Sequence, residues 1–291
     1  MKPPHFDYVR PESLEEALDV LAEHGDEAKV LAGGQSLVPM LNMRLARPAV
    51  VVDVNRIGGL DGIAADNGVV NIGALARQSA CERAEVVRLR LPLMAECLPH
   101  VGHYVTRNRG TVGGSIAHGD SKAELPLALV ALGGSALVRG PAGERTVPSE
   151  ELFVTHYTTS LEPVELLVAT IWPAASSGWG SAFEELALRA GDYALALAAC
   201  TLEVRAGRVS SARVALAGPS DRPLLCQAST LLVGEPVTSE LAREVGAAAQ
   251  TEVEPSEGVH ASAAYVRHLV GLLVERVVAR ASRNATEGAR D

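Results

Sequence analysis

Two glycine-rich segments constrain this chain more than any other feature: Ala32-Gly33-Gly34-Gln35-Ser36-Leu37 and Gly110-Thr111-Val112-Gly113-Gly114-Ser115-Ile116-Ala117-His118-Gly119-Asp120. Each follows a strand-like run, 28–31 and 104–108, and each pairs glycines with a hydroxyl residue. Glycine lets main-chain N–H groups approach an anion closely, and Ser or Thr adds a donor without charge. One such loop alone is more often an ordinary tight turn. Two of them, with further motifs downstream, predict a two-sided cradle for a dinucleotide pyrophosphate.

The residues between and around the loops read as an α+β chain. In 1–55, Ser13-Leu14-Glu15-Glu16 has capping-box spacing, Leu14, Ala17, Leu18 and Leu21 form an apolar face, and Gly25 closes the helix. A strand at 29–31, the first glycine loop, a helix at 37–45 and a buried strand at 49–53 follow, so the loop feeds a helix N-terminus. In 56–175 the pattern changes to short strands around turns such as Asn67-Gly68, with helices near 74–88 and 124–132. The small, turn-forming run 173–178 is the linker to a third unit, 178–291. There, 195–205 and 208–216 flank Ala206-Gly207 as a hairpin. Two amphipathic helices complete the unit, the last over 262–281, a packing helix with Tyr265, Leu269, Leu272, Leu273 and Val277 at helical spacing.

Composition removes several function classes. A net charge of −9 with scattered arginines argues against a nucleic-acid partner. Cys81, Cys97, Cys200 and Cys226 never form a Cys-x-x-Cys pair, which predicts neither zinc nor an iron–sulfur cluster and suggests buried thiols in a reducing compartment. The first residues lack the apolar core of a signal peptide, and the most apolar runs, 125–138 and 193–204, are shorter than the roughly 20 residues of a spanning helix. A soluble, cytoplasmic protein is expected.

The motifs at 32–37, Arg107-Asn108-Arg109-Gly110-Thr111-Val112-Gly113-Gly114-Ser115-Ile116-Ala117-His118, and Arg189-Ala190-Gly191-Asp192-Tyr193-Ala194 stand in one order along essentially the whole chain. In them the sequence resembles the FAD-binding medium subunits of bacterial molybdenum hydroxylases, the group of carbon monoxide, nicotine and quinoline dehydrogenases and the xanthine dehydrogenase flavin domain. The resemblance implies a vanillyl-alcohol-oxidase-type (PCMH-like) FAD-binding fold with a C-terminal α+β domain of the CO-dehydrogenase flavoprotein type. It implies FAD as cofactor, with Ala32, Gly33, Gly34, Gln35, Ser36 and Leu37 on one side of the pyrophosphate and Gly110, Thr111, Gly114 and Ser115 on the other. It further implies Asp120 near the ribityl or adenosine portion, Leu161 near the adenine or its linker, and Tyr193 over the isoalloxazine ring.

By the same resemblance the partners are a large molybdopterin subunit and a small subunit with two [2Fe–2S] clusters. Electrons would pass from them through FAD to NAD⁺, a quinone, another carrier or O₂. No side chain of this chain is then required as general acid or base, and His118 is read as a packing or hydrogen-bonding residue. A stand-alone FAD-dependent oxidase or dehydrogenase is the alternative, and a non-enzymatic member of the same fold the third reading. Two departures from the family pattern carry expectations. Ala117-His118-Gly119-Asp120-Ser121 replaces Ala-His-Ala-Asp-Pro, which predicts a looser turn. Glu184-Glu185 stands near a position where many relatives have a flavin-contacting lysine, which predicts altered charge at the ring.

Overall fold

Val50, Val51 and Val52 are all buried, as befits the middle strand of a parallel sheet covered on both faces. In the computed structural model, which describes residues 2–287, strand Val50–Asp53 lies between Asp7–Val9 and Ala28–Leu31 and runs parallel to both. Helix Leu14–His24 packs Ala17 and Leu21 into the core beneath this sheet. Ser13 Oγ accepts from the Glu16 N–H as the capping spacing predicts, while the Glu16 carboxylate accepts from the Glu12 N–H.

The second sheet is antiparallel, in the order Ile63–Asp66, Val69–Gly73, Leu166–Pro173, Ser135–Gly140, Gly143–Pro148. Asn67 and Gly68, at φ 47° and 82°, make the two-residue turn that left-handed residues favour. Helix Glu124–Leu132 is apolar all round, and every residue from Leu125 to Leu132 is buried. It lies between this sheet and the third, where Thr201 Oγ1 donates to the Ala131 carbonyl over 2.9 Å. The third sheet orders Trp179–Ala187, Ala194–Arg205, Arg208–Ala217 and Leu224–Leu225, backed by helices Ser239–Ala249 and Ala263–Glu287. Leu197 and Ala199 face the middle core, whereas Ala196, Ala198 and Cys200 face the helices. Burial on both faces explains why 194–200 is continuously apolar.

Three sequence expectations give way to tertiary contacts. Residues 74–88 do not form one helix: Ala74 and Leu75 donate to the Val168 and Leu60 carbonyls, and extended Ala84 separates Gln78–Arg83 from Glu85–Arg90. The run 104–108 is not strand-like but contains a helical turn, Tyr104–Arg107. Buried Arg107 anchors it by a forked pair with Glu82 and bonds to the Pro99, Val101 and Gly102 carbonyls. The helix after the first glycine loop, Leu37–Asn42, stops short of residue 45, with Arg44 at φ 60°. No helix among the described residues is long and apolar enough to cross a membrane.

Candidate functional site

The first glycine loop leaves strand Ala28–Leu31 and enters helix Leu37–Asn42 through Gly34, whose φ of 72° suits glycine. The main-chain N–H groups of Gly33, Gly34, Gln35, Ser36 and Leu37 donate to no atom of the described residues. The second loop differs. At the start of helix Val112–His118, the Val112 and Gly113 N–H groups go to the Ala76 and Ala74 carbonyls, Gly114 N–H to Thr111 Oγ1, and Ser115 N–H to the Thr111 carbonyl. One wall therefore has a row of free donors, and the other has spent those of Val112 to Ser115 on its own support.

The glycines reflect that packing. A Cβ on Gly33 would lie 2.4 Å from the Arg109 carbonyl oxygen and 2.8 Å from Gly110 Cα, so the two loops touch there. A Cβ on Gly113 would meet Ala74 at 2.5 Å, and one on Gly114 would meet Thr111 Oγ1 at 2.6 Å. Glycine is required at these sites by neighbouring protein atoms.

The loops wall a cleft of about 770 Å³, within the range of roughly 300–1,000 Å³ usual for small-molecule sites. All thirteen residues singled out in the sequence line it: Ala32, Gly33, Gly34, Gln35, Ser36 and Leu37 from the first loop, Gly110, Thr111, Gly114 and Ser115 from the second, and Asp120, Leu161 and Tyr193 beyond. Asp120 is 4% exposed; its Oδ1 accepts from the Lys122 N–H while Oδ2 is buried without a partner. Tyr193 is 63% exposed at the same cleft.

Four lining residues lay outside the sequence expectation or were given a lesser part in it. Gln78 is 4% exposed, with an unpartnered buried Oε1. His118 stacks at 4.8 Å on Tyr157, which holds the left-handed region at φ 54° with its N–H on the Gly119 carbonyl. Glu124 opens the buried helix Glu124–Leu132 and faces the cleft. An acidic residue starting an all-apolar helix was the signal that could have marked it.

Burial governs the charges here. It lowers the His118 imidazole below its usual range, although Asp120 opposes that, and pushes the Glu124 carboxyl up to about 8. Although both rings are largely exposed, desolvation of the hydroxyl and the Asp120 charge hold Tyr193 well above its ordinary value, and Tyr157 shifts the same way for the same two reasons. Near neutral pH this end of the cleft thus offers a neutral imidazole, a largely protonated carboxyl and two neutral phenols. That set donates and accepts hydrogen bonds without adding charge.

Both departures from the family pattern resolve differently from expectation. Gly119 caps helix Val112–His118 at φ 62°, a conformation alanine would strain. Ser121 is fully buried, within 2.9 Å of His156 Nδ1, and its carbonyl accepts from the Gly218 N–H. This turn is tied down by other bonds in place of a proline. Glu185 sits 2.9 Å from His100 Nδ1 and Glu184 pairs with Arg276; neither lines the cleft. The four cysteines are buried and unpaired, and no metal-binding cluster occurs among the described residues.

The domain family described as "FAD binding domain in molybdopterin dehydrogenase" matches residues 4–175, and the "CO dehydrogenase flavoprotein C-terminal domain" matches 181–281. Subunit alpha of the 6-hydroxypseudooxynicotine dehydrogenase complex of Paenarthrobacter nicotinovorans is 40% identical over 98% of this chain and 97% of its own. The structure of carbon monoxide dehydrogenase from Hydrogenophaga pseudoflava lacking the Mo-pyranopterin moiety of its cofactor superposes with a TM-score of 0.95 at 37% identity, covering 98% of this chain and 99% of that one. Quinoline 2-oxidoreductase from Pseudomonas putida 86 gives a TM-score of 0.91 at 35% identity, covering 98% and 99%.

Proposed function

The chain belongs to the FAD-binding medium subunits of the molybdenum hydroxylases, and from that membership we propose that it is the electron-collecting unit of a larger oxidoreductase. Its partners are a large molybdopterin subunit, where substrate is oxidised, and a small subunit carrying two [2Fe–2S] clusters. Electrons leave this chain for an external acceptor, and the assembly works in the cytoplasm. The working division of the chain is 1–55, 56–175 and 178–291, with the cofactor held where the three meet.

The observation that carries the reading is the row of free main-chain donors from Gly33 to Leu37, beside the Ser36 hydroxyl and in contact with the second loop. Free N–H groups converging on a cleft suit a pyrophosphate. The buried, unpartnered oxygens of Asp120 and Gln78 suit hydroxyl and amide protons of the same ligand, and Tyr193 supplies a flat face. These groups fit FAD. Ala32 to Leu37 would hold the pyrophosphate from one side, with Thr111 and Ser115 hydroxyls on the other. Gly110 and Gly114 serve by letting the second loop pack closely on Gln78 and on the Thr111 cap, Leu161 packs on the adenine side, and Tyr193 covers the ring.

When bound, FAD supplies the electron exchange, and the protein binds, orients and shields it. His118 and Glu124 line the same cleft and, held neutral by burial, offer hydrogen-bonding groups there without adding charge. The test is a visible absorption spectrum of the purified chain with mass spectrometry of what acid releases, followed by co-purification. Flavin bands, released FAD and companion molybdenum and iron–sulfur subunits are expected. A colourless chain that ignores added FAD overturns the reading, and a yellow chain that oxidises substrate alone favours the stand-alone flavoenzyme.

A further inference from the structure

We propose that Arg77 and Asn55 form a clasp that fixes the two glycine loops against each other, making both positioning residues for the cofactor although neither lines the cleft. The inference rests on the reading of that cleft as a flavin site.

Residues 74–78 are tied to the second loop through the main chain: Gln78 N–H donates to the Gly110 carbonyl over 3.0 Å, Val112 N–H to Ala76 over 2.9 Å, and Gly113 N–H to Ala74 over 3.0 Å. Arg77 therefore has a fixed base beside Thr111. Its guanidinium forks. One nitrogen donates to the Arg109 carbonyl, and the other donates to Asn55 Oδ1 over 2.7 Å. The Asn55 amide in turn donates to the Ala32 carbonyl over 2.7 Å and to Asp53 Oδ1 over 2.7 Å. The far oxygen of Asp53 accepts the Tyr8 hydroxyl proton.

The Arg109 carbonyl gives this chain its meaning. It is the atom that a Cβ on Gly33 would strike, so it is the contact point of the two loops, and it is held by Arg77. The first loop leaves its N–H groups unpartnered, so it depends on outside bonds for position, and the Asn55 amide supplies one at Ala32. The planar guanidinium reaches the two acceptors from two separate nitrogens at a fixed angle, a geometry the single rotating nitrogen of a lysine does not reproduce. The clasp lets one wall keep its donors free while its spacing from the other wall stays set.

The test uses the full chain as wild type, Arg77→Ala, Arg77→Lys, Asn55→Ala and the Ala/Ala double variant. FAD dissociation constants come from flavin fluorescence, and hydrogen exchange is read on the flavin-free proteins. Arg77→Ala is expected to weaken FAD about tenfold or more, the scale of a lost charge-assisted bond. Asn55→Ala should weaken it less, Arg77→Lys should not rescue it, and the double variant should be no worse than Arg77→Ala, because both residues act in one chain. Amides of 32–37 and 107–111 should exchange faster in Arg77→Ala while the third sheet is unchanged. Wild-type FAD affinity with wild-type exchange in those segments overturns the clasp. If Arg77→Ala does not fold, Asn55→Ala and Arg77→Lys decide by the same two readouts. A wild-type chain that takes no FAD, together with loops loosened by Arg77→Ala, overturns the flavin reading and supports the clasp.

Discussion

Glu124 shows how a single carboxyl takes its chemistry from its surroundings. Burial pushes it up to about 8, with the negative charges of Glu185 and Asp120 adding to the shift and Arg107 opposing it. In the unfolded chain the same group gives up its proton in the usual carboxylate range, so its proton favours the folded state below that range. This contribution is lost as the pH rises toward and through 8. The difference in melting temperature between wild type and Glu124→Gln, measured flavin-free, should therefore change across pH 5 to 8, with wild type losing ground as pH rises. Parallel curves would show that Glu124 is not held protonated. Ser36 offers a simpler test: Ser36→Ala should weaken FAD by about 1 kcal/mol, the net value of one hydrogen bond, read by fluorescence titration.

The two glycine loops look alike in sequence and are different devices as elements. The pairing of glycine with Ser36 and Thr111 was legible, and it gained meaning because two such loops stand in one chain with further motifs after them. Which loop keeps its N–H groups free was not, because the partners that occupy the second set, Ala74 and Ala76, come from a segment whose apolar spacing reads as helix. Thr111→Ala removes the cap of helix Val112–His118 and should cost about 1 kcal/mol of stability, measured by denaturant unfolding. Gly33→Val acts differently. Its side chain must push the Arg109 carbonyl away, so the loops separate and FAD retention should be lost while the remote third sheet keeps its hydrogen-exchange protection.

At the scale of the whole molecule, the cleft gathers residues from Leu21 to Tyr193, so a ligand bound there would touch parts of the chain far apart in sequence. Saturation with FAD at a hundred times its dissociation constant should add about 2.7 kcal/mol to stability, and its removal should lower the melting temperature accordingly. An unchanged melting curve would separate the cleft from the flavin. The sequence alone determined the glycine-and-hydroxyl loops and the α+β pattern, which depend on local composition and order, while the resemblance carried by its motifs pointed to the family and to Asp120, Leu161 and Tyr193, which line the same cleft as the loops. Only the tertiary structure decided that Glu185 turns to His100, that Ser121 is tied down without proline, that Glu124 and Gln78 face the cleft, and that Arg77 and Asn55 join its walls. The reason is physical: a hydrogen bond or a desolvated charge depends on what another part of the chain brings within about 3 Å, and no local pattern encodes that distance.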